Sequence, residues 1–221
     1  MSDFLFQRLA SGGGGPAVVH GDRSTSHNEL LARTNAFCEQ LTGRVDAGTV
    51  VSFSGDYSVD AVALFLALLR LRTIIVPLSS DSRAHFNEYR EIAEVELQIE
   101  VDGDELVLED TGREAGAELY QRLRAADAPG LVLFSSGSTG KSKAIVQDLA
   151  RLIEKFQKPG KAQRMLIFLQ LDHIGGVNSL LYSLANAGTL VTPLSRAPDA
   201  IAAAVEKHRV ELLPTSPTFL N

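Results

Sequence analysis

A chain of 221 residues, 45% hydrophobic and 22% charged, is long enough to bury one or two cores and has the balance of an ordinary globular protein. Its formal net charge of −6, with no run of Lys or Arg and no Trp, argues against a nucleic-acid partner. The longest apolar run, Ala61–Leu69, is about half the roughly 20 residues of a bilayer span, so no membrane span is expected.

The N-terminal MSDFLFQRLASGGGG carries an early acid and no sustained apolar stretch, which does not read as a secretory leader; a cytoplasmic protein is expected. Gly12–Gly15 is the one low-complexity tract and reads as a loose loop. From Asn28 to Leu41 an apolar stripe predicts a helix, with the single cysteine, Cys38, as a small core residue. Val50–Phe53 reads as a strand, and a helix apolar nearly all round follows with Ser58 as its N-cap. Thr73–Val76 reads as a buried strand ending at Pro77. A helix over Arg83–Ala93, strands at Glu96–Val101 and Glu105–Leu108 and a polar helix over Ala115–Ala125 come next.

Ala126–Gly130 interrupts the periodicity and is the expected boundary between an α/β subdomain at 1–128 and a second at 129–221. Beyond it the sequence predicts strands Leu131–Phe134, Ala144–Gln147, Met165–Leu169, Thr189–Thr192 and Val210–Leu213. Helices Leu149–Phe156, Val177–Ala187 and Pro198–His208 are set among them, and Gly188 stands where a C′ glycine belongs. Repeated βα units predict an α/β fold with largely parallel sheets. The five histidines show no metal-ligand spacing.

The chemistry is concentrated in Leu133–Lys143, LFSSGSTGKSK. Gly140, Lys141 and Ser142 match the end of a Walker A loop, but Ser135 stands where its first glycine belongs, and that glycine is what lets the chain curl its amides onto phosphate. A Walker loop also opens directly into a helix, whereas Lys143–Gln147 reads as a strand. Asp172, ending an apolar run, is the matching Walker B candidate. A plain hairpin would need one or two turn residues rather than four hydroxyls, two glycines and two lysines; small hydroxyls, exposed amides and lysine suit an anion with several oxygens.

Ser135-Ser136-Gly137-Ser138-Thr139-Gly140-Lys141-Ser142-Lys143 resembles the signature loop of the adenylate-forming superfamily, the acyl-CoA and aryl-CoA synthetases, peptide-synthetase adenylation domains and luciferases. Ala61–Leu78 resembles that family's helix and strand ending in Val-Pro-Leu, with Leu71-Arg72-Thr73 where an Ala-Gly pair is usual. Leu171–Val191 and Val210–Asn221 resemble segments that come next in the same order, so the likeness runs from about Ala17 to the last residue.

The resemblance implies an ATP-dependent ligase that activates a carboxylic acid as its acyl-adenylate and passes the acyl group to coenzyme A or to the phosphopantetheine of an acyl carrier protein. It places Ser135, Ser136, Gly137, Ser138, Thr139, Gly140 and Lys143 on the ATP phosphates and leaves Lys141 spare. It places His173, Gly175 and Gly176 at the acyl pocket. Mg2+ would accompany ATP, with Thr139 as the one residue near it and no complete metal site. The family's adenine, ribose and catalytic-lysine motifs have no counterpart in the 221 residues. The chain is therefore expected to be the N-terminal portion of such an enzyme, with no catalytic residue of its own and no activity alone. A P-loop NTPase using Lys141 and Asp172, and a non-catalytic binding module, are the alternatives.

Overall fold

A computed structural model of the protein describes residues 3–136 and 142–215. Its elements in chain order are α1 (Asp3–Ser11), β1 (Pro16–His20), β2 (Arg23–Ser26), α2 (His27–Leu41), β3 (Val50–Ser54), α3 (Val59–Arg70) and β4 (Ile74–Leu78). After a 3-10 turn at Ser80–His85 come α4 (Phe86–Ile92), β5 (Leu97–Asp102), β6 (Glu105–Asp110), α5 (Glu118–Ala125), β7 (Gly130–Ser136) and β8 (Ser142–Asp148). The last are α6 (Leu149–Glu154), β9 (Arg164–Leu166), α7 (Ile174–Ala185), β10 (Thr189–Thr192) and α8 (Pro198–Lys207). The α/β class and the largely parallel pairing expected from the βα pattern are present.

Two compact units form from non-contiguous chain. The first contains the described residues of Met1–Ala32, Tyr57–Val59 and Lys155–Asn221; the second contains Arg33–Asp56 and Asp60–Glu154. The boundary expected at residues 128/129 is not where these units divide. Gly130 opens β7, which pairs in parallel with β4, so the Pro-Gly break lies within one sheet. A backbone interruption marks the end of an element; it does not mark the edge of a core.

The second unit holds a six-stranded sheet in the order β6-β5-β3-β4-β7-β8, with β5, β3, β4 and β7 parallel and both edge strands antiparallel. One face packs Val50, Ile74, Val76, Leu78 and Val132 with Ala93, Val95, Tyr120 and Leu123. α3 buries Ala61 to Leu69 without a break, as an apolar surface all round requires. β4 runs on through Pro77 to Leu78 instead of stopping before the proline. It pairs with β7 only at Ile74 and Ile75, so the residue without an N–H lies beyond that ladder.

The first unit holds a four-stranded sheet, β2-β1-β10-β9, in which β1, β10 and β9 are parallel. No element before Asn28 is expected from the sequence, because RSTS in β2 has no apolar alternation to read. Ser26 and Glu29 form a capping box at the start of α2: the Ser26 N–H donates to Glu29 Oε2 at 2.7 Å and the Glu29 N–H to Ser26 Oγ at 3.2 Å. The glycine tract is bonded rather than loose. The His27 N–H donates to Gly15 O, the Asn28 N–H to Gly13 O, and a Cβ on Gly12 would lie 2.4 Å from the His27 ring.

α7 ends in a Schellman motif. The Gly188 N–H donates to Ser183 O at 2.9 Å and the Ala187 N–H to Leu184 O at 3.2 Å, which makes Ala187, at φ 50°, the C′ residue and Gly188 the C″ residue. Gly188 is needed for space, since a Cβ there would lie 2.8 Å from Gln163 O. β9 stops at Leu166 rather than Leu169, and Val210–Leu213 contributes one parallel bridge, Met165 to Leu212, instead of a full strand.

Candidate functional site

The hairpin β7–β8 is registered without a bulge from Gly130 opposite Asp148 to Ser135 opposite Lys143 and Ser136 opposite Ser142. Gly137, Ser138, Thr139, Gly140 and Lys141, which join the strands, lie outside the described residues. The chain continues from Ser142 as a strand, in keeping with its composition, where a Walker loop would open into a helix.

Alternation along β8 divides its side chains between two faces. Ala144 and Val146 pack on the sheet's core, while Lys143 and Ile145 are exposed, and Ser135 opposite Lys143 is exposed too. The core-side face is held by α4. The Tyr89 ring stacks on Phe134 with centroids 4.0 Å apart and planes 7° from parallel. Glu88 accepts a hydrogen bond from the Ser142 side chain, and His85 Nδ1 lies 3.1 Å from its Oε2; these bonds, Ser142 first, hold the Glu88 carboxyl below its usual range. No pattern in the sequence joins Glu88 to Ser142, because the two residues are 54 positions apart in the chain. The grip leaves Ser135 and Lys143 on the opposite, open face.

In the first unit, His173 is the N-cap of α7 with extended backbone, and its side chain is 60% exposed. Asp172, 3% exposed, lies behind it with Oδ1 at 2.8 Å from His173 Nδ1. With the Nδ1–H donating to that carboxylate, Asp172 fixes the orientation of the imidazole. Ile174 beside it is also open, at 44%.

Gly175 and Gly176 differ in what they do. A Cβ on Gly175 would meet only Leu169 Cδ1 at 3.3 Å, whereas one on Gly176 would fall 1.9 Å from Gln170 O and 2.5 Å from Tyr57 Oη. Gly176 thus lets the first turn of α7 sit against the Gln170 carbonyl. Tyr57, which belongs to no motif legible in the sequence, reaches this point from the segment before α3. Among the described residues no group of three or more His, Cys, Asp or Glu side chains could hold a metal ion. Hydroxyls and a lysine, the donor set around the hairpin, suit a polyphosphate and leave most of a magnesium shell to water and phosphate oxygens.

The family profile described as AMP-binding enzyme matches residues 5–221. The chain belongs to the AMP-binding enzyme family. Among curated AMP-binding relatives, phenyloxazoline synthase MbtB of Mycolicibacterium paratuberculosis is 25% identical over 241 residues, covering 100% of this chain and 21% of that protein. The 2-succinylbenzoate–CoA ligase of Bacillus subtilis is 24% identical over 234 residues, covering 92% of this chain and 46% of the ligase. The N-terminal subdomain of Klebsiella oxytoca NpsA, solved with 3-hydroxyanthranilyl-AMSN, superposes with a TM-score of 0.77 at 20% identity, over 96% of this chain and 59% of that one. The fold is that of the N-terminal subdomain of these enzymes. The chain spans less than half the length of either curated relative.

Proposed function

We propose that this chain supplies the polyphosphate-binding hairpin and the acid-binding segment of a ligase that activates a carboxylic acid with ATP. In that reaction a carboxylate oxygen attacks the α-phosphorus, the bond to the bridging oxygen of the β-phosphate breaks, and pyrophosphate leaves. A thiol of CoA or of carrier-protein phosphopantetheine then attacks the acyl carbon and releases AMP. The observation that carries the reading is that Ser135 and Lys143 face each other on the antiparallel strands flanking residues 137–141, within a chain matched by the AMP-binding family from residue 5 to 221.

Lys143 stands at the loop's exit on the open face of β8, where an ammonium adds attraction for the β- and γ-phosphates without closing a salt bridge to the core. Ser135, opposite it, adds a hydroxyl, and the resemblance assigns Ser136, Gly137, Ser138, Thr139 and Gly140 to the same phosphates. Magnesium, when bound with ATP, would neutralise charge on the departing pyrophosphate, and Thr139 is the loop hydroxyl assigned beside it. His173, oriented by Asp172, is the polar group at the acid, and Gly175 leaves room beside it, whereas the space next to Gly176 is taken by the Gln170 carbonyl and Tyr57. The relatives include both a CoA ligase and peptide synthetases, and one solved structure is an artificially fused adenylation-PCP di-domain, which supports a CoA or carrier-protein acceptor equally. A cytoplasmic setting fits the supply of ATP. Turnover by these 221 residues alone is expected to stay below detection, since they carry no counterpart of the family's adenine and ribose motifs; ligand binding is what they support.

Calorimetric titration with ATP and with pyrophosphate tests this. Lys143→Ala should weaken binding about tenfold or more, the worth of a charge-assisted hydrogen bond, and Lys141→Ala less than about twofold. The reverse order would favour a Walker-type loop and overturn the reading.

A further inference from the structure

Tyr57 is 9% exposed, and its hydroxyl has no hydrogen-bond partner among the described residues. Leaving a buried hydroxyl unpaired is costly, and in folded proteins such an atom marks a place where something else completes the bond. The oxygen sits 2.5 Å from where a Cβ of Gly176 would be, so the phenol occupies the space that a side chain at 176 would take in the first turn of α7. Burial, and next the nearby Asp172 carboxylate, push the Tyr57 pKa up, so the group remains a neutral phenol that can both donate and accept. Arg196 acts on it with the opposite sign to Asp172.

We propose that Tyr57 is a specificity-determining residue whose hydroxyl bonds a neutral hydroxyl substituent on the acyl or aryl part of the carboxylic acid. The inference rests on the carboxylate-activating reading of the Asp172–Gly176 segment. The position is buried, and there a neutral hydroxyl costs less to desolvate than an ammonium or a second carboxylate. Tyr57 makes and breaks no covalent bond. It selects, because a site with a buried donor pays for an analogue that leaves that donor unpaired.

The test measures binding, to this chain in the presence of ATP, of acids that differ only in one hydroxyl: 2-, 3- and 4-hydroxybenzoate against benzoate, and 3-hydroxyoctanoate against octanoate. Wild type should prefer at least one hydroxylated acid over its parent by about tenfold. Tyr57→Phe should bring that ratio to about one, with a melting temperature equal to or above wild type because the deleted hydroxyl had no partner. A purely structural role would lower the melting temperature and leave the ratio intact. An unchanged ratio in Tyr57→Phe, or no hydroxyl preference in wild type, overturns the role of Tyr57 while leaving the carboxylate reading standing. If wild type binds no acid of either kind, the carboxylate reading falls and this inference falls with it.

Discussion

Gly175 and Gly176 are adjacent and chemically identical, yet their neighbours give them opposite tolerance. A Cβ at 176 would press on a backbone carbonyl that cannot rotate aside, so Gly176→Ala should cost about 1–3 kcal/mol or more through overpacking. A Cβ at 175 would touch the tip of Leu169, which can move, so Gly175→Ala should change stability by less than about 1 kcal/mol. Thermal denaturation of the two variants checks this; equal melting temperatures would mean that α7 does not approach Gln170 so closely. The sequence marks both glycines as special and cannot rank them, because the ranking depends on which atom lies across the gap.

At the scale of elements, the β7–β8 hairpin was legible from its strand-like flanks, and the helix that grips it was not recognisable as its partner. Glu88 belongs to that grip. Its pKa lies below the ordinary glutamate value of 4.5, chiefly through the bond from Ser142, so ionised Glu88 favours the folded state above 4.5 and the contribution disappears as pH falls through its lower native value. Hydrogen exchange of the Leu133, Phe134 and Ala144 amides, corrected for intrinsic rates, should accelerate as pH is lowered below 4.5. Glu88→Gln should abolish that pH-dependent part. Acceleration of equal size in the variant would assign it to other carboxylates. Because Tyr89 stacks on Phe134 from the same helix, α4 acts on the hairpin through both packing and polar contact.

At the scale of the molecule, the chain does not divide where its periodicity breaks. A fragment ending at residue 128 would lose β7 and β8 from the six-stranded sheet, and with them Leu131, Val132 and Leu133, all buried. Those three side chains represent about 5–9 kcal/mol of burial, comparable with the whole stability of a typical domain at about 5–15 kcal/mol. Residues 1–128 expressed alone should show no cooperative thermal transition by circular dichroism, whereas the whole chain should. A cooperative melt of the fragment would restore the boundary drawn at Pro129.

Local patterns are properties of neighbouring residues, and they determined most of what is local here: the βα order, the uninterrupted apolar surface of α3, the strands on either side of the glycine loop, and the loop's likeness to the adenylate-forming signature. The tertiary structure alone decided what distant residues share. Val18 pairs with Leu190 across 172 positions, which brings the N-terminal strands into one sheet with β10 and β9. Tyr57 meets Gly176, and Glu88 meets Ser142, although nothing in the composition of either segment announces the other. Periodicity records which face of an element is buried; which other element buries it is settled by long-range pairing, where the free energy of closing the chain is recovered only when the whole sheet forms.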